Sequence, residues 1–459
     1  MSAAVSGARA EHARWAGLGA RFASAVEAAS PRGEPLVLAH PAPVAPPLRL
    51  FAARPELEGV LFEPPGEAAV AGLGVAVALE AAGPRRAEAL LARVRALFET
   101  CAVRALAERL PPRPRLFGGL GFDGGAPAEA AHLGAARFVL PRWTYLVEQG
   151  EAWLLLALSS TAGESPAALE AEAERLVDAL AAPERARAVT PSRVERSGPE
   201  AWARGVEAVR ASIADGRAQK VVLSHRTELE AASAFDPAAV LAGLEGEAVG
   251  ATRFAFRRGE ATFLGATPER LVRRMGREVR TEALAGSARA GASAAASLLE
   301  SPKDRAEQGH VVRWIERGLS RFAERVTVPE TPVLRRLPHV VHLHTPIAAT
   351  LLAPPAHVLT LVAALHPTPA VAGVPLEEAL ASIRAHEPDG RGWYAGPVGW
   401  LDAEGDGDFW VALRSALLVG SRARLYAGAG IVEGSDAALE YAETVLKERT
   451  MLAALGAVG

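Results

Sequence analysis

Apolar residues run without a break from Val221 to Leu223, after a turn signal at Gly216, with Lys220 leading in and Ser224-His225-Arg226 leading out. A short, continuous, β-branched run of this kind predicts a buried strand over 219–226. Similar runs predict strands at 35–40, 59–62, 72–79, 138–140, 143–147 and 151–159, and again at 252–257 and 261–265. Apolar positions recurring at helical spacing predict helices over 8–29, 87–109, 166–182, 199–215, 298–324 and 376–385; Pro31 stops the first and Pro111-Pro112 the second. The last hundred residues carry the clearest strand signal, with runs at 394–401, 408–419 and 424–432 separated by the turns 403–407 and 420–423. Three strands joined by tight turns predict an antiparallel meander. Strands that outnumber crossover helices argue for an α+β fold over a doubly wound sheet. The expected architecture is one large unit of mainly antiparallel sheets with helices packed outside. The polar stretch 183–198 is expected to divide it into an N-terminal half, 1–190, which contributes sheet and helices, and a catalytic core, 191–459.

Composition narrows the class. With 459 residues, 50% hydrophobic and 22% charged, the chain is long and apolar enough for a large globular core. A net charge of −3 gives no case for nucleic acid or a membrane surface as partner. One cysteine, Cys101, excludes an intramolecular disulfide and fits a reducing compartment. The first 21 residues hold no apolar core of a signal peptide, and runs such as 153–158 are too short to span a bilayer. A cytoplasmic location is expected.

Candidate chemistry begins with lysine, which occurs only three times among 50 basic residues, at 220, 303 and 447. Arginine stays charged in proteins, whereas a desolvated lysine can become a neutral amine and act as a base or nucleophile. Lys220, at the mouth of an apolar strand, is placed for that. Glu307 lies at the edge of the buried stripe of its helix, where a carboxylate needs a metal, a cation or a donor; a salt bridge to an arginine is the simpler reading. Glu440, Glu443 and Lys447 share one face of the final helix, and an ordinary i,i+4 pair would explain the last two. The small residues of Tyr426-Ala-Gly-Ala-Gly430 just before that helix would let a ligand approach the backbone. Arg414, in an apolar strand, wants a carboxylate partner from the protein or a substrate. Glu269 stands in a turn after a strand. His342 and His344 alternate onto one strand face, where a hydrogen-bonding role is simpler than a zinc site lacking a third ligand. Asp402, Asp406 and Asp408 lack calcium-loop spacing, and the glycines of 115–123 lack the lysine of a phosphate loop.

Ten segments stand in one order along 219–447: QKVVLSHR, FLGATPERLV, TEALAGSARA, SPKDRAEQ, HLHTPI, HPTPAVAGVP, GWYAGPVGW, VALRSA, YAGAGIVEGS and EYAETVLK. In this the chain resembles the chorismate-utilising enzymes and, among them, the isochorismate synthases. The likeness extends more weakly to 117–122 and 138–143. It implies a magnesium-dependent conversion of chorismate to isochorismate, with the core 191–459 binding chorismate. By that resemblance Lys220 matches the base that activates water for attack at C2, and Glu269 the acid that protonates the departing C4 hydroxyl. Glu307 and Glu443 match magnesium ligands, with Glu440 holding metal-bound water. Arg414, the backbone of Gly428, and Lys447 match groups that hold substrate carboxylates, while His342 and the turn containing Gly286 line the pocket. Ala370 matches the small residue typical of isochorismate synthases. No glutaminase subunit is expected, unlike in the aminating relatives, and the chain is expected to act as a monomer. Menaquinone and siderophore pathways both remain open. Salicylate synthases, which make isochorismate and then eliminate pyruvate, are the rival reading. Two departures stand out: His225 occupies a position where arginine is common, and Gln308-Gly-His310 follows Glu307 in a looser version of the metal motif.

Overall fold

The computed structural model describes residues 15, 17–29, 34–124, 130–161, 163–182, 187–289, 297–336 and 340–457. Its strands form two sheets, and both halves of the chain enter both. Among the described residues the larger sheet has 13 strands. From one edge they run Pro191–Arg196, Lys220–Ala231, Arg422–Ile431, Ser415–Val419, Ala261–Thr267, Thr252–Arg258, Gly59–Glu63, Ala69–Leu73, Trp143–Glu148, Glu151–Leu158, Leu36–Ala42 and Ala102–Ala105, with the short Gly373–Val374 beside Lys220. The smaller has 10, ordered Ala323–Thr327, Val340–Leu351, Glu278–Arg289, Arg270–Met275, Gly407–Val411, Pro397–Asp402, Arg115–Leu120, Ala136–Leu140 and Val77–Ala81, with Val333–Arg336 also paired to Val340–Leu351. Pairing is antiparallel throughout the segments that frame the cleft described below.

The sheets press together through a layer of rings. Phe117, Trp400 and Trp410 of the smaller sheet meet Phe62, Phe254 and Phe263 of the larger, all nearly inaccessible to water. Burying one such ring contributes about 1.5–3 kcal/mol. The helices Leu18–Glu27, Pro166–Ala181, Pro237–Glu247 and Ala437–Ala454 pack on the larger sheet through Phe22, Leu176, Leu241 and Met451. Arg86–Thr100, Pro302–Ser320 and Val358–Leu365 bring Leu90, Ile315 and Leu361 into a second core, which also takes in Phe138 and Phe409 of the smaller sheet.

Several sequence expectations are corrected. The run 72–79 is not one strand: Gly74, at φ 65, ends the larger-sheet strand and turns the chain into the smaller sheet at Val77. The helix expected over 87–109 stops at Thr100, because Ala102–Ala105 pairs in parallel with Leu36–Ala42. Of the helix expected over 8–29, Leu18–Glu27 is present, and most of what precedes it lies outside the described residues. The helix expected over 298–324 ends at Ser320 and a strand follows from Ala323. The C-terminal meander is two hairpins in different sheets. Gly407–Val411 pairs with Pro397–Asp402 in the smaller, and Ser415–Val419 with Arg422–Ile431 in the larger. Arg414 is therefore not inside a strand. It stands at the break between two.

Candidate active site

That break is one of two neighbouring strand crossovers between the sheets. At one, the chain leaves Ala261–Thr267 in the larger sheet and enters Arg270–Met275 in the smaller, passing through Pro268-Glu269. At the other it returns from Gly407–Val411 to Ser415–Val419 through Arg414. The crossovers hold each other: Val411 N donates to Glu269 O at 3.0 Å, and Ala266 N to Arg414 O at 3.1 Å. Thr267 Oγ1 also donates to Val411 O. Gly265 makes the approach possible, since a Cβ there would sit 2.7 Å from Arg414 O. Arg414 has φ 49, the left-handed region, which swings its side chain out of the strand direction.

Beside the crossovers opens a cleft of about 270 Å³, bounded on another side by Arg422–Ile431. That strand alternates: Ala429 and Ile431 turn into the core, while Tyr426, Gly428 and Gly430 face the cleft. The neighbouring strand delivers Lys220, 1% exposed, whose Nζ lies 2.6 Å from Glu307 Oε1 on the helix Pro302–Ser320. Gly430 leaves the room for this pair, because a Cβ there would meet Lys220 Cε at 2.7 Å and Glu307 Oε1 at 3.2 Å. Burial alone would raise the Glu307 carboxyl, but the Lys220 ammonium, with Lys447 and Lys303 farther off, holds it below its ordinary value.

The final helix brings the other carboxylates. Asp436 caps its start, accepting from Ala438 N and Leu439 N, which fixes the turn carrying Glu440 and Glu443. Glu443 pairs with Lys447 at 2.7 Å, and Lys447 Nζ donates to Gly428 O at 2.9 Å. Glu440 accepts from Ser435 Oγ at 2.7 Å and lies 3.7 Å from Lys303. Burial is the main cause that raises its carboxyl, with Glu443 adding to it. Glu307, Glu440, Glu443 and Asp304 thus present oxygens to one cleft. Among the described residues no three Asp, Glu, His or Cys side chains already converge as a closed metal site. Magnesium does not require one, since it is commonly held by one or two carboxylates, water and substrate oxygens. The donor set fits that ion.

Across the cleft, burial and then the nearby Glu282 push the Glu269 carboxyl up to about 8, so it holds a proton at neutral pH. His342 is pushed down to about 3 by burial and by Arg414, and is neutral. Gly286 sits at a bulge in the strand Glu278–Arg289 with φ 70, and a Cβ there would press on Asp304 at 3.1 Å. Arg414 Nη1 donates to Lys447 O at 3.3 Å. All of the sequence candidates meet here: Glu269, Gly286, Glu307, His342, Ala370, Arg414, Gly428, Glu440, Glu443 and Lys447 line the cleft, and Lys220 reaches it through Glu307.

Residues that sequence reasoning passed over complete the walls. Tyr394 and Tyr426 stack at 5.1 Å. Arg391 forms a two-pronged pair with Glu387, at 2.7 and 2.6 Å, and donates to Val371 O and Val222 O. Glu387 in turn accepts from Ser224 N and Oγ. The four-residue spacing of Glu387 and Arg391 was visible in the chain, though nothing in it showed that both are buried. His344 turns away to Glu282, Asp402 closes its hairpin turn by accepting from Glu404 N and Asp406 N, and Asp406 accepts from Gly276 N in the neighbouring turn. No described helix is long and apolar enough to cross a membrane.

Comparison with known proteins agrees with this arrangement. The family described as Chorismate binding enzyme matches residues 23–456. A protein of Pseudomonas aeruginosa named Salicylate biosynthesis isochorismate synthase is 41% identical over 400 residues, covering 84% of this chain and 82% of that one. Isochorismate synthase MenF of Bacillus subtilis is 39% identical over 261 residues, 56% of this chain and 55% of that one. Among solved structures, MenF, the menaquinone-specific isochorismate synthase from Escherichia coli, superposes with a TM-score of 0.78 at 28% identity, over 95% of this chain and all of that one. With the match spanning nearly the whole sequence, the chain belongs to the chorismate-binding enzyme family.

Proposed function

We propose that the protein is an isochorismate synthase, an isomerase that adds water at C2 of chorismate and expels the C4 hydroxyl. The observation that carries the reading is a carboxyl protonated at neutral pH, Glu269, sharing one cleft with the Lys220–Glu307 pair. Displacement of one hydroxyl by a water entering elsewhere needs a proton donor at the leaving oxygen and an acceptor at the entering one. Glu269 donates its proton to the C4 oxygen, which departs as water. Lys220 takes a proton from the entering water, so one water is added and one is lost. Glu307, Glu443 and Glu440 would hold magnesium, which when bound would supply positive charge to offset these carboxylates and those of the substrate. Arg414, Lys447 and the backbone of Gly428 hold the substrate carboxylates, while neutral His342 and Ala370 shape the pocket around the ring. The product would feed menaquinone, siderophore or salicylate formation, the routes in which relatives of this chain are named.

Incubating purified protein with chorismate and magnesium and separating the products tests the proposal. Isochorismate as sole product supports it. Salicylate, anthranilate in the presence of ammonia, or unchanged chorismate overturns it.

A further inference from the structure

Behind Glu269 lies a charged cluster that touches no reacting atom. Glu282, on the strand Glu278–Arg289, has a side chain 13% exposed. Its Oε1 accepts from Arg270 N at 2.8 Å and from Arg335 Nη1 at 2.9 Å, and its Oε2 lies 2.9 Å from His344 Nε2. Arg270 directly follows Glu269, and its own side chain is pinned to Asp408 at 3.0 Å and Glu67 at 2.6 Å. The peptide after Glu269 is therefore gripped by a carboxylate from the neighbouring strand, and the carbonyl of Glu269 is gripped by Val411 N. Glu282 itself is kept ionised. Burial works against its charge, but the bonds from His344, Arg335 and Arg270 N outweigh it and hold the carboxyl below its ordinary value.

We propose that Glu282 is a positioning residue for the isomerisation: gripping the Arg270 N–H at 2.8 Å, it aims the Glu269 carboxyl and places a fixed negative charge behind it. The proposal rests on Glu269 being the proton donor. The groups facing Glu269 pull in opposite directions. Lys220, Arg335 and Lys447 favour its carboxylate; burial and Glu282 disfavour it. Removing the Glu282 charge leaves burial alone to oppose the cations, so Glu269 should release its proton at lower pH. The strand Val333–Arg336, paired with Val340–Leu351, brings Arg335 to Glu282 at 2.9 Å and near enough to Glu269 to favour its carboxylate.

The test compares wild type with Glu282→Gln, which keeps a hydrogen-bond acceptor and drops the charge, and with Glu282→Ala, which drops both. In kcat/KM against pH, the alkaline limb of Glu282→Gln should move down by about one unit. Glu282→Ala should move it as far and also lower kcat by about 100-fold at little change in KM, as loss of aim predicts. A limb that stays in place in both variants overturns the proposal, whatever happens to kcat. A readout independent of turnover is stability against pH by urea unfolding. The Glu282→Gln change should alter the slope between pH 5 and 8 (about the window set by burial) in wild type and not in a Glu269→Gln background. An equal effect in both backgrounds shows that it does not act through Glu269 and overturns the proposal. Should wild type make no isochorismate, the functional reading fails, and the unfolding comparison still decides whether Glu282 governs the Glu269 proton.

Discussion

Lys220 Nζ lies 2.6 Å from Glu307 Oε1, and the pair joins the strand second from the edge of the larger sheet to the helix Pro302–Ser320. Lys220→Arg would keep the charge in a planar group that does not give up its proton. We expect turnover to fall below detection while chorismate binding, measured by calorimetry, persists. Full activity in that variant would remove Lys220 as the proposed base.

Gly430 faces that pair from the next strand. Gly430→Ala would place a methyl 2.7 Å from Lys220 Cε, so lysine and glutamate must separate or the strand must shift. Misplacement by even 1 Å is worth about 100-fold in rate. A loss of that size in kcat, with an unchanged circular dichroism spectrum, is the expected outcome.

The proton on Glu269 also leaves a thermodynamic trace. Its carboxyl is raised from 4.5 to about 8 on folding, so between those values the folded chain binds more proton than the unfolded one. Stability must then fall as pH rises from 4.5 to about 8, as far as this group is concerned. Glu269→Gln should flatten that decline in urea unfolding while lowering kcat by about 100- to 10,000-fold. A variant as pH-dependent as wild type would place the proton elsewhere.

Arg414 is held by its crossover, and its Nη1 makes a long donation of 3.3 Å to Lys447 O. Its planar fork suits a carboxylate. Arg414→Ala is expected to raise KM for chorismate by about 30-fold or more, the equivalent of about 2 kcal/mol for truncating a buried charge contact. A change confined to kcat would argue against substrate anchoring.

Metal removal should separate folding from activity. Glu307 and Glu443 have lysine partners of their own, at 2.6 and 2.7 Å, so their charges are not left bare without an ion. Treatment with a chelator should abolish turnover and leave the unfolding midpoint within a few degrees, about the shift expected for ~1 kcal/mol or less. Restoration by added magnesium completes the check.

The chemistry of this chain was more legible than its path. Lys220, Glu269, Glu307, Arg414 and Glu443 are spread over more than two hundred residues and by residue type alone admit ordinary readings, yet the resemblance of their short motifs grouped them and the structure brings them to one cleft. The chain's route between sheets was not visible in hydrophobic pattern, because a strand that leaves one sheet for another stays buried and apolar on both sides of the break. That is why 72–79 and 408–419 read as single strands and why Arg414 was assigned to a strand interior. Glu282 and Arg391 were passed over for a related reason. Their importance lies in what they grip, Arg270 N in one case and Val222 O in the other, and backbone partners leave no mark in composition.

The pairing of Lys220–Ala231 with Arg422–Ile431 also bears on how the protein is made. Ser224 lies opposite Gly428, so its strand must wait for about 200 further residues, roughly 10–40 s of translation, before its main neighbour exists. Throughout that interval an apolar strand has an open edge, the kind of surface that recruits other unfinished chains. A nascent polypeptide halted before residue 422 already contains Lys220, Glu269 and Glu307 but lacks the strand Arg422–Ile431 and the final helix, which complete the cleft around them, so the cell gains no early turnover from an incomplete chain.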